Sequence, residues 1–138
     1  MKNVFLADGD ATVQFVSDTY EGSVHDKPIA DATPYPLPPG SELLQDLGFQ
    51  GVVLHEVQIT QPHKKPRGKP LSDAQKAENH EIAHRRVRIE HIIASVKRLR
   101  ILKEPIRLWK AGVRDLVIAI GAALHNFRVR VAPWNEYV

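Results

Sequence analysis

Apolar and polar positions change rhythm along this chain. Near the start, NVFLAD runs into Asp8-Gly9-Asp10, and TVQFVSDTY beyond it alternates β-branched or aromatic residues with polar ones. A period of two on either side of Asp and Gly predicts two strands joined by an Asp-Gly turn, with Asp8 and Asp10 as hairpin residues. Residues 23–31 form a short polar stretch with Ser23 placed as a helix cap. Four prolines within residues 34–39 exclude a regular element there, since each lacks an N–H and fixes φ. Residues 43–46 read as a short strand ending at Asp46, and residues 52–54 through 57–59 as a further strand or pair, punctuated by Gly48 and Gly51.

Past residue 70 the period lengthens. Ser72 followed by Gln75 makes a capping box, and Ile82, Ile89, Ile92, Ile93, Val96 and Leu99 fall on one stripe at helical spacing, predicting a helix to about Arg100. After Pro105 a second helix is expected from about Ile106 to Phe127, burying Val113, Leu116, Val117, Ile120, Ala123, Leu124 and Phe127, with an irregular tail over residues 129–138. Strands crowd the first half and long helices the second, so the class is α/β or α+β.

Composition bounds the rest. The 138 residues suit one domain or part of one, and the absence of cysteine excludes a disulfide framework and thiolate zinc sites, which favours a cytoplasmic location. The apolar-plus-Gly stretch at residues 116–124 is less than half the roughly 20 residues of a membrane span, so no membrane partner is expected. The net charge of +3 conceals two poles: residues 1–62 hold nine acids and two bases, residues 63–138 seven acids and seventeen bases, giving −7 and +10. A basic half of that size suggests a polyanion, and an acidic half offers carboxylates for a divalent cation; a solvated Lys/Arg surface is the plain alternative. The segment HKKPRGKP places His63, Lys64, Lys65, Arg67 and Lys69 in an exposed loop.

Two chemical constellations share the long helix. His80-Glu81-Ile82-Ala83-His84 reads H-E-x-x-H, two imidazoles one turn apart with a glutamate as base, as in zinc peptidases. The extended pattern wants Gly at 87 and His at 90, where this chain has Val87 and Glu90, with His91 one residue out of register. Arg86, Glu90 and Lys97, spaced by four and seven, project from one strip beside the apolar stripe. Such a strip is often a surface ion-pair ladder. Asp46 at a strand end and Asp26 after His25 in a turn add carboxylates from separate elements, as a metal-dependent phosphoryl-transfer site requires.

HRRVRIEHIIASVKRLRI resembles the glutamate motif of insertion-sequence transposases of the DDE superfamily, in the bacterial branch related to Harbinger-type nucleases. In that motif Tyr is followed after two residues by Arg, after three more by Glu and after six more by Lys. Arg86, Glu90 and Lys97 match, and Ala83 stands at the Tyr position. LLQDLGFQG is similar to the second-aspartate motif, which places that role on Asp46, and GSVHDKPIAD to the turn carrying a His-Asp pair, here His25 and Asp26. The resemblance covers about residues 2–128.

It implies a ribonuclease-H-like α/β fold with a mixed sheet and long C-terminal helices, lacking its first strand because the first catalytic aspartate lies upstream of the segment MKNVFLAD resembles. The chain would be the C-terminal part of a transposase catalytic domain, either inactive alone, a non-catalytic DNA-binding relic, or one half of a split enzyme. In the intact machine Asp46 and Glu90 would hold Mg²⁺ or Mn²⁺, with Asp26 as a further ligand or a turn-stabilising acid. Arg86 and Lys97 would contact phosphates, and the 63–69 loop would line the DNA path. Expected partners are transposon-end DNA and an N-terminal transposase chain or a second copy.

Overall fold

The computed structural model describes residues 1–104 and 110–134, which divide into two compact units. The first joins Met1–Val24 to Arg88–Val138, and the second is His25–Val87.

The first unit opens with the hairpin. Strands β1 (Phe5–Ala7) and β2 (Val13–Val16) pair antiparallel, with Phe5 opposite Val16, Leu6 opposite Phe15 and, past a register shift, Ala7 opposite Val13. The turn is built on Asp8, whose Oδ1 accepts from the backbone N–H groups of Asp10 and Thr12, both at 3.0 Å. A short acidic side chain that bonds its own backbone two residues on is the Asx device that makes Asp a turn former. Asp8 and Asp10 are hairpin residues, as their pattern predicts.

Helix α4 (Val113–Val131) closes over this hairpin with two consecutive polar residues. His125, fully buried, donates from Nε2–H to the Ala11 carbonyl at 2.7 Å and accepts at Nδ1 from the Ser95 hydroxyl at 2.9 Å. Asn126 donates to Val13 O at 2.9 Å and accepts from Val13 N–H at 2.8 Å. Arg128 holds Ser95 from the other side, donating to its carbonyl at 2.7 Å. The buried His125 and Ser95 side chains thereby have partners, without which each would cost about 1–3 kcal/mol. Ala11, Val13, Ile92, Val96, Leu102, Ile118, Ala122 and Val129 form the apolar core beneath.

Several expected boundaries move. Helix α2 (Asp73–Val96) ends four residues before Arg100, and a separate turn of helix, α3 (Arg100–Lys103), follows. Leu99 at that break has extended backbone, which turns the chain so that Leu99 and Leu102 both reach the core of Ile92 and Val96. Helix α4 starts at Val113 because Gly112 takes a left-handed φ of 77°, and it continues through Val131, so the tail becomes irregular from Ala132. The expected start at Ile106 and the last four tail residues lie outside the described residues.

The largest correction concerns the face of α4. Ile118, Gly121, Ala122, His125 and Val129 are buried, whereas Leu116, Ile120, Leu124 and Phe127 are 59%, 48%, 40% and 63% exposed. Gly121 shows why: a Cβ there would lie 2.5 Å from Leu102 Cδ1 and 3.3 Å from the Val96 carbonyl oxygen. The inner face is chosen by close approach, which small residues permit and large ones forbid.

The second unit carries α1 (Asp26–Ala32), β3 (Glu42–Leu44), a 3-10 turn (Leu47–Phe49), β4 (Gln58–Thr60) and the first turns of α2. Strands β3 and β4 pair parallel, Leu43 opposite Ile59. Residues 52–54 are not a strand: Gly51 takes a φ of 86°, Val52 N–H bonds back to Phe49 O, and Val53 is 87% exposed. His25, not Ser23, stands before α1, and Pro28 fits its first turn, where a missing N–H costs nothing. The capping box stands as predicted: Ser72 Oγ accepts from Gln75 N–H and Gln75 Oε1 from Ser72 N–H. The secondary structure is thus mixed α/β, with its described strands in two separate two-stranded sheets.

Candidate functional site

The second unit gathers three of the residues singled out by sequence around one turn. Asp46 lies just beyond β3, where Gln45 N–H still bonds to Thr60 O. Its Oδ1 accepts from Leu47 N–H at 2.6 Å, so the carboxylate caps the 3-10 turn and its backbone fixes where it points. Asp26, half-buried in the first turn of α1, places its carboxylate against the same turn: a Cβ on Gly48 would lie 2.7 Å from Asp26 Oδ2. Gly48, which the sequence pattern marks only as a strand break, is therefore a requirement of the site; a glycine two residues after an aspartate is the signal for that role.

Arg86 on α2 donates from Nη2 to Asp46 Oδ2 at 2.9 Å. With side-chain exposures of 23% and 50%, this pair contributes at most about 1 kcal/mol to stability. Its consequence is geometric, since a guanidinium now stands where Asp46 faces a cation. Beside it Arg85 donates to Glu42 at 3.4 Å. Burial, with the Asp31 carboxylate adding, pushes the Tyr35 hydroxyl up to about 12, which leaves it protonated and outside any acid–base role at neutral pH.

The basic loop is held at one end and open at the other. His63 contacts Glu78 through Nε2, while Asn79 accepts from His63 N–H at 2.6 Å and donates to His63 O at 3.0 Å. Asn79, likewise passed over in the sequence, clasps the loop to α2. Beyond this anchor Lys64, Lys65, Arg67 and Lys69 are all exposed, around a turn in which Gly68 has a φ of 78°. Four cations on a short loop with a fixed root make an exposed basic surface, the kind of surface that attracts phosphates without regard to sequence.

Glu90 and Lys97 belong to the first unit, Glu90 exposed on α2 one turn past Arg86 and Lys97 half-buried just beyond its last residue. His80 and His84 are exposed on α2. Among the described residues no three His, Asp or Glu side chains gather as a metal site. Asp26 and Asp46 are hard oxygen donors of the class that Mg²⁺ and Mn²⁺ take, so the donor chemistry at the 3-10 turn fits those ions as a partial set. No helix among the described residues is long and apolar enough to cross a membrane.

The DDE superfamily endonuclease family matches residues 1–126. A probable transposase for insertion sequence element IS702 from Microchaete diplosiphon is 35% identical over 95 residues, covering 64% of this chain and 33% of that protein. The chain thus spans about a third of the length of the curated relative it matches. No solved structure matches the chain.

Proposed function

The chain belongs to the DDE superfamily endonucleases, and we propose that it is the C-terminal portion of the catalytic domain of an insertion-sequence transposase, acting in DNA transposition by metal-dependent strand cleavage and transfer. The observation that carries this reading is the meeting of Arg86 with Asp46 at a turn that Asp26 also flanks. These residues come from three elements separated in sequence, and the family motifs name all three. In this reading the mixed α/β secondary structure is that of a ribonuclease-H-like fold.

By the family resemblance Asp46 and Glu90 would be the residues that hold the metal, with Asp26 a further ligand or the acid that shapes the turn at Asp46. A bound Mg²⁺ or Mn²⁺ supplies Lewis acidity to a phosphoryl oxygen and its attacking group. The chain's own part is to position. Arg86 grips a phosphate as a planar fork and holds Asp46 in place before metal arrives, Lys97 adds a point charge, and His63, Lys64, Lys65, Arg67 and Lys69 guide the DNA backbone. The resemblance assigns no residue of this sequence to the first aspartate. Asp46 and Glu90 by themselves do not complete a two-metal clamp, so cleavage in this reading needs a further carboxylate, and residues 1–138 alone bind DNA without cutting it.

A filter-binding titration against salt tests the reading. Each phosphate contact contributes a slope of about −0.9 in log K against log salt. Replacing Lys64, Lys65, Arg67 and Lys69 together by Ala is expected to lower both affinity and slope, and an unchanged slope overturns the DNA path. Supercoiled plasmid with Mn²⁺ tests the chemistry: the chain alone is expected to leave it intact, and nicking that survives Glu90→Gln overturns the site assignment.

A further inference from the structure

The H-E-x-x-H segment is left without a role in that reading, and its geometry gives it one. His80 and His84 stand four residues apart in the middle of α2, so they share one face, one turn apart. Both are exposed, and Ile82 between them is buried on the opposite side of the helix, which turns the histidine face outward. Neither ring has a hydrogen bond or ion pair among the described residues, in contrast to His63 and His125, each of which is engaged. We propose that His80 and His84 form a surface chelate for a borderline divalent transition-metal ion of the Zn²⁺, Ni²⁺ and Cu²⁺ class, separate from the carboxylates around Asp46.

Ligand chemistry decides the class of ion. Two imidazole nitrogens suit Zn²⁺, Ni²⁺ and Cu²⁺, whereas Mg²⁺ and Ca²⁺ take oxygen donors. Lys76 lies one turn before His80 and Arg88 one turn after His84. These flanking cations repel any divalent ion equally, so the site selects by covalent preference for nitrogen and not by charge. Two ligands from one chain leave at least two positions of a tetrahedral ion to water or to another molecule. A catalytic zinc site takes three protein ligands, and no third His, Asp or Glu joins the pair among the described residues, so the site is proposed for binding alone.

The test is Zn²⁺ uptake by the whole chain, read by competition with a chromophoric chelator. One equivalent is expected to bind, and His80→Asn or His84→Asn each to weaken it roughly tenfold or more. His91→Asn, two turns beyond His84, is expected to change nothing. Excess Mg²⁺ is expected not to displace the ion. Both imidazoles are exposed, so circular dichroism of the variants is expected to match the parent, which separates loss of a ligand from loss of fold. Zn²⁺ binding retained in the double variant, abolished by His91→Asn, or displaced by Mg²⁺ overturns the proposal, as does no uptake by the parent chain.

Discussion

Helices α2 and α4 both carry long apolar repeats, yet the buried face follows from the repeat in one and contradicts it in the other. On α2 the apolar residues form a narrow stripe amid charge, and Ile82, Ile92 and Val96 on that stripe are buried. Helix α4 is apolar around most of its circumference, from Leu116 to Val131. Its inner face is instead Ile118, Gly121, Ala122, His125 and Val129, with a polar residue at the centre. Hydrophobic burial is proportional to area and has no direction, so where two faces are nearly equal in apolar character it does not choose between them. Close packing at Gly121 and the hydrogen bonds of His125 do choose.

The sharpest test of that contrast is a pair of substitutions on opposite faces of α4. Ile118→Ala is expected to cost about 3–4 kcal/mol in urea unfolding, and Ile120→Ala about 0.5 kcal/mol or less. Equal losses would mean the helix is rotated from the arrangement described. Next in size, Gly121→Val is expected to lose about 2–3 kcal/mol despite its better helix propensity, because its branches meet Leu102 and Val96. A gain in midpoint would show that α4 stands further off. His125→Leu keeps volume and removes the donor to Ala11 and the acceptor for Ser95, so a loss of about 2 kcal/mol is expected. A neutral result would assign the buried histidine to packing alone. Smallest of all, Leu116→Lys with Phe127→Lys is expected to leave stability within about 0.5 kcal/mol in urea unfolding, because both side chains are exposed. Unfolding of that double variant would place its residues inside.

What the sequence made legible follows the same division. Elements with local chemical instructions were readable: the Asp8 turn, the Ser72–Gln75 capping box, the Pro-rich segment and the single-stripe part of α2. Elements settled by distant contacts were not. Nothing within α4 says that Gly121 must meet Leu102, and nothing near residue 99 says that the chain bends to bring Leu99 and Leu102 into the core. At the candidate site, motif resemblance located Asp46, Arg86 and Asp26, but the capping of Leu47 by Asp46 and the pressure of Asp26 on Gly48 are three-dimensional facts. His125 and Asn126 were the readable omission, a polar pair inside an otherwise apolar run. Such a pair inside a core helix has to be paying its desolvation cost through specific partners, and here it does.

The Asn126 amide also affects what the hairpin can do in company. By giving and taking a hydrogen bond at Val13, it stands in for a neighbouring strand at that rung of β2. An open strand edge is a template on which other chains add themselves, and proteins commonly blunt such edges with charge, proline or bulges. Here a helix performs the task with one side chain, so the hairpin keeps its outer rung closed to intruding backbone for as long as α4 stays docked.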